Sequence, residues 1–114
     1  MNKKYNFFKN SKYALEGLFV LFKEKAFQIE ITIILLLFVL LVFLNLTAVQ
    51  KSIMIISLFI ILITEALNTA VEYTVDLVTE EWKDFAKKAK DTASAAVFLS
   101  ICQAVIVWAV NLLL

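Results

Sequence analysis

Proline, histidine and arginine are missing from this chain, and glycine and cysteine occur once each, as Gly17 and Cys102. Each absence removes a class of function. With one glycine there is no Gly-rich cradle for phosphates, so a P-loop or a protein-kinase type of site is excluded. Without histidine or paired cysteines there is no ligand set for zinc. One cysteine makes no disulfide within a chain, and Cys102 sits in an apolar run, where a buried, inert thiol is expected. The lack of proline leaves long apolar stretches without a helix breaker.

What remains is mostly apolar. Of 114 residues, 62% are hydrophobic, and mean hydropathy is +0.88. Charged residues make up 18%, where a soluble domain has about a quarter. The chain is expected to be a single all-α integral membrane domain over residues 1–114. Residues 1–26 read as an amphipathic surface helix: Leu15, Leu18, Phe19, Phe22 and Ala26 fall on one stripe, with Lys9, Lys12, Glu16, Lys23 and Glu24 largely off it. That basic, amphipathic start does not read as a cleavable signal peptide. Three spans follow, over 29–49, 53–78 and 93–114, separated by a short turn over Asn45–Ser52 and a polar loop over Thr79–Thr92. Trp108 and Trp82 read as interfacial belt residues, and Ser94, Ala95 and Ala96 as small residues for close helix packing.

All 11 basic residues are lysines, and their distribution sets the topology. Lys3, Lys4, Lys9, Lys12, Lys23 and Lys25 precede the first span, and Lys83, Lys87, Lys88 and Lys90 lie between the second and third. Lys51 alone is on the other side. The N-terminus and the 79–92 loop are therefore expected in the cytoplasm.

The second span carries the chemistry. After Ile53–Ile63 it takes in Glu65, Asn68, Glu72 and Asp76. At 100° per residue these four lie within about 80° of one another on a helix. Carboxylates at membrane depth cost several kcal/mol each, roughly, unless paired, hydrated or metal-bound. Acidic groups gathered at the cytoplasmic face suit a hard cation such as Mg²⁺, which arrives with phosphate and water, and Glu24 and Glu72 are suitable ligands. Lys90 beside Asp91, with Lys83 and Lys87 before them, suits the polyphosphate of a nucleotide. Glu65, deeper and only partly solvated, suits a general base. On spacing alone the stripe equally fits interhelical packing or a pore lining, and the lysine cluster a topology signal and anionic-lipid contact.

The residues themselves carry more. Glu65-Ala-Leu-Asn68-Thr-Ala-Val-Glu72, then Val75-Asp76, then Ala86-Lys-Lys-Ala-Lys90-Asp91-Thr-Ala-Ser94-Ala-Ala-Val97, closely resembles the signature of the small bacterial integral-membrane diacylglycerol kinase and undecaprenol kinase family. Lys12-Tyr13-Ala14, Gly17 and Glu24-x-Ala-Phe27-x-x-Glu30 match as well, so the resemblance covers nearly the whole chain. It implies a homotrimer of three-span subunits in the bacterial inner membrane, each with an N-terminal surface helix. It implies transfer of the ATP γ-phosphate to a lipid hydroxyl at the cytoplasmic interface, in active sites shared between subunits. By motif position, Glu65 resembles the general base, and Glu24 and Glu72 the Mg²⁺ carboxylates. Asn68 resembles a supporting group, Tyr13, Glu81, Trp82, Lys83, Lys90 and Asp91 the nucleotide contacts, and Glu30 and Ser94 the lipid-side residues.

The chain departs from that pattern in places. Lys83 stands where many members have histidine, Leu15 where some have tryptophan, and Asn6 lies near a position often held by arginine. Lysine does not reproduce arginine's bidentate phosphate contact. The reading taken forward is an ATP-dependent kinase acting on diacylglycerol, which Ser94-Ala95-Ala96-Val97 resembles more than the Ala-Ala-Gly-Ala form common in undecaprenol kinases. Undecaprenol is the alternative acceptor. A small oligomeric channel or packing protein is the alternative of another class.

Overall fold

The structure is a computed structural model, and it describes residues 6–114. The start of the expected surface helix, with Lys3 and Lys4, lies outside the described residues. Four helices follow in order: α1 (Phe7–Phe22), α2 (Lys25–Phe43), α3 (Ala48–Val78) and α4 (Asp84–Leu113). The last three are long and apolar enough to cross a membrane.

Local chemistry sets the helix ends. The Asn6 side chain accepts from the Lys9 amide and opens α1. Thr47 and Gln50 form a reciprocal capping box: Thr47 Oγ1 accepts from the Gln50 amide at 3.1 Å, and Gln50 Oε1 accepts from the Thr47 amide at 3.0 Å. That box starts α3 at Ala48, so the connection expected over Asn45–Ser52 shrinks to Leu44–Thr47, and α2 ends at Phe43 rather than Val49.

The polar stretch over Thr79–Thr92 also differs from expectation. Only Thr79–Lys83 is irregular; Asp84–Thr92 forms the first turns of α4. Its charges fall at helical spacing, with Asp84 paired to Lys88 and Lys87 to Asp91 four residues apart. At 1.5 Å per residue, the 31 residues of α3 and 30 of α4 are each about 45 Å long. The hydrocarbon layer is about 30 Å thick, so the charged ends of both helices extend past it.

α3 and α4 run antiparallel and form the main helix pair. Polar groups tie them together along their length. Thr64 Oγ1 donates to Ser100 Oγ at 2.9 Å, and Gln103 Nε2 to the Ser57 carbonyl at 2.7 Å, while it also donates within α4 to the Ser100 carbonyl at 2.8 Å. Trp108 Nε1 lies 3.2 Å from both the Met54 carbonyl and Ser57 Oγ. Trp108 was expected in an interfacial belt; it packs inward instead, beside a core of Ile34, Leu58, Ile61 and Ala104. An indole N–H among apolar groups needs an acceptor, and Ser57 supplies one. Each interhelical bond of this kind contributes roughly 0.6 kcal/mol. Gln103→Leu removes one such bond and is therefore expected to lower unfolding free energy in mixed micelles by about 0.6 kcal/mol. An unchanged denaturation midpoint would contradict this account of the helix pair.

Candidate active site

The acidic stripe of α3 becomes a gradient of exposure. Glu65 and Asn68 are buried, at 5% and 8% exposure, Glu72 is half-buried, and Asp76 is exposed. Helical period alone places them on one face; packing of α4 and α2 against that face buries its deeper half.

Around the stripe is a cavity of about 220 Å³ lined by Glu24, Ala26, Glu65, Asn68, Thr69, Glu72, Ser94 and Val97. Thus Glu24, Glu65, Asn68, Glu72 and Ser94, which are spread over 71 positions of sequence, share one space. Asn68 Nδ2 donates to Glu72 Oε1 at 3.1 Å. The Asn68 carbonyl oxygen points to no donor, although it is buried. Glu24 sits at the break between α1 and α2; it precedes α2 without capping it, and its carboxylate accepts from the Tyr73 hydroxyl. Tyr73 was not among the residues singled out from the sequence. Its neighbour Glu72 carried the motif, and nothing in helical spacing links position 73 to position 24.

A second cavity, of about 300 Å³, holds the other set. Glu81, Trp82, Lys83, Lys90 and Asp91 line it together with Glu80, Lys87, Ala86, Thr79 and Val75. Lys90 bridges toward the first set: its ammonium lies 2.6 Å from Asp76 Oδ1 and feels the charge of Glu72. Lys83 pairs loosely with Glu81 at 3.5 Å. Trp82 is largely exposed at this cavity.

Two expected site residues lie elsewhere. Tyr13 is exposed on α1 and lines neither cavity. Glu30 of α2 is a neighbour of Glu65 of α3, and its buried Oε2 has no hydrogen-bond partner. Its other surroundings are those of a third cavity, about 350 Å³, whose remaining lining is apolar: Ile33, Ile34, Leu37, Leu58, Ile61, Ile101, Ala104, Val105 and Trp108. One carboxyl therefore stands where a polar chamber and an apolar one meet.

The donor set is all oxygen: carboxylates of Glu24, Glu65 and Glu72 and the unpartnered Asn68 carbonyl. It fits a hard divalent cation and no soft one. Among the described residues, no three acidic side chains converge into a ready-made cage. Mg²⁺ does not need one, because it is commonly held by one or two carboxylates with substrate phosphates and water.

Comparison with known proteins agrees with this chemistry. The profile of the prokaryotic diacylglycerol kinases matches residues 12–112. The chain is 39% identical to the diacylglycerol kinase of Haemophilus influenzae over 100 residues, covering 87% of this chain and 85% of that protein. It is 37% identical to the Escherichia coli K12 diacylglycerol kinase over 89 residues, covering 78% and 73% of the two chains. The Pseudomonas aeruginosa diacylglycerol kinase is 34% identical over 102 residues, with 89% and 83% covered. The matched range takes in α2, α3, all but the last residue of α4, both polar cavities and the glutamates that line them, and this chain belongs to the prokaryotic diacylglycerol kinase family.

Proposed function

We propose that this protein is an ATP-dependent lipid kinase that phosphorylates diacylglycerol to phosphatidic acid at the cytoplasmic face of a bacterial inner membrane. The observation that carries the reading is the meeting of Glu24, Glu65, Asn68, Glu72 and Ser94 around one cavity, with Lys90 and Asp91 at the next. The whole chain, 1–114, acts as one kinase domain, with α1 lying on the membrane surface. Its exposed Phe7, Phe8, Leu15, Leu18, Phe19 and Phe22 supply the apolar face that such a helix needs. The lysine distribution supports a cytoplasmic N-terminus and 79–83 connection. The working form is a homotrimer with shared sites; Tyr13, which lines neither cavity of its own chain, completes a neighbour's nucleotide site.

Phosphoryl transfer asks little covalent work of a protein. It asks for alignment and for neutralised charge. Glu65 takes the proton of the lipid hydroxyl as that oxygen attacks the γ-phosphorus. The bond to the β,γ-bridging oxygen breaks, and ADP leaves. Glu24 and Glu72 would hold Mg²⁺, which would supply charge neutralisation for the phosphate, and Asn68 steadies Glu72 from beside it. Lys90, kept in place by Asp76, meets the polyphosphate, with Lys83, Glu81, Trp82 and Asp91 around the nucleotide. Glu30 and Ser94 face the lipid, and the apolar chamber beside Glu30 receives its chain.

The pore reading loses support from the third span. Gln103 is taken up by Ser57 and Ser100, and Asn111 bonds back to the Val107 carbonyl. The deciding experiment is Mg²⁺-dependent ATP consumption by purified protein in detergent, with diacylglycerol and undecaprenol supplied side by side. Diacylglycerol-stimulated turnover is expected to exceed that with undecaprenol. Preference for undecaprenol would move the acceptor; no stimulation by either would remove the kinase reading.

A further inference from the structure

Glu24 differs from the other carboxylates of the acidic cavity in how it is held. Glu65 and Glu72 ride on α3. Glu24 sits in the short break between α1 and α2, where its backbone N–H donates to the Leu21 carbonyl at 2.9 Å and its carbonyl accepts from the Gln28 amide at 3.0 Å. Its side chain has three rotatable bonds and makes no cap. Among the described residues it takes part in no ion pair; the lysines that are paired use Glu81, Asp91, Asp84 and Asp76. Its hydrogen-bond partner is the Tyr73 hydroxyl, from 49 positions away.

Tyr73 follows Glu72 directly on α3, so the two side chains diverge by about 100°. Glu72 enters the acidic cavity, while Tyr73 passes under α1, where Leu18, Gly17 and Ala70 line its surroundings. The phenol thereby reaches Glu24 from the same helical turn that carries Glu72. One Glu24 oxygen, Oε1, is taken by the hydroxyl, and the residue also lines the acidic cavity.

We propose that Tyr73 is a positioning residue for the divalent cation: its hydroxyl holds Glu24 against Glu72, so that the two carboxylates meet one ion. This rests on the reading of Glu24 and Glu72 as cation ligands. A flexible carboxylate at a helix break would otherwise sample solvent, and ordering it would weaken cation binding. A neutral hydroxyl donor orients the carboxylate without cancelling the charge that the cation needs, which a lysine there would do. Outer-sphere partners of metal ligands typically change affinity by about 10–100-fold.

The test uses the full-length protein in detergent, Mn²⁺ as a paramagnetic probe and a non-hydrolysable ATP analogue. Free Mn²⁺ is read by electron paramagnetic resonance for the parent, Y73F and E24Q. Phenylalanine keeps the ring and removes only the hydroxyl. Mn²⁺ binding to Y73F is expected to weaken roughly tenfold, with the Mg²⁺ requirement for turnover rising by the same factor and kcat at saturating Mg²⁺ nearly unchanged. E24Q is expected to bind Mn²⁺ more weakly still. If E24Q weakens and Y73F does not, the role of Tyr73 is overturned and the site stands. If both match the parent, Glu24 is no ligand and both readings fall. If Y73F lowers kcat at every Mg²⁺ concentration with Mn²⁺ affinity intact, Tyr73 only packs α1, and the proposal fails.

Discussion

Glu65→Gln is expected to stop lipid phosphorylation, with kcat lower by about 10²–10⁴-fold, the usual contribution of a positioned general base. The substitution replaces one carboxylate oxygen with an amide nitrogen of similar size. Glu65 is 5% exposed, so a smaller or larger side chain would disturb the packing of α2, α3 and α4, and glutamine avoids that. The new amide also offers a donor beside Glu30, whose buried Oε2 has no hydrogen-bond partner. Fold and nucleotide binding should persist, so the loss is expected in kcat rather than in KM for Mg-ATP. Steady-state ATP consumption with diacylglycerol, beside a nucleotide-binding titration, checks both halves. Normal turnover in this variant would take the base role away from Glu65.

Glu72→Gln is expected to act on the metal. Glu72 is half-buried, accepts from Asn68 Nδ2 at 3.1 Å and faces the cavity with Glu24. Glutamine preserves a carbonyl oxygen for Asn68 but loses the negative charge that draws a hard cation out of water. Loss of an outer-sphere partner alone costs about 10–100-fold in metal affinity, so loss of a ligand should raise the Mg²⁺ requirement by at least that much. Activity should return partly at high Mg²⁺, in contrast to the Glu65 variant. A Mg²⁺ titration of turnover distinguishes the two. A curve superimposable on that of the parent would contradict the ligand assignment.

Helix existence and the acidic stripe were legible along the chain because both are short-range properties. An apolar run of about 20 residues is long enough to span hydrocarbon, whatever its neighbours do. Glu65, Asn68, Glu72 and Asp76 share a face by helical period alone. Helix ends were less legible. The charged run after Thr79 reads as a loop when polarity is the guide, yet Asp84–Thr92 is helical because lysine is a good helix former and its i,i+4 partners are acidic. Trp108 reads as a belt residue by type, and the hydrogen bond it makes depends on Ser57, 51 positions earlier.

By itself, the order of residues determined that three long apolar helices would form, that one of them would carry its acids on a single face, and that lysines would crowd one side. Those follow from side-chain transfer energies and a 100° turn per residue, both of which act within a few residues. Only the tertiary structure decided that Glu24 comes to that face with Tyr73 behind it, that Glu30 neighbours Glu65, and that Glu81, Trp82, Lys83, Lys90 and Asp91 gather around a cavity separate from the acidic one. Such meetings depend on how helices cross and at what register, which is set by packing and interhelical hydrogen bonds between distant parts of the chain.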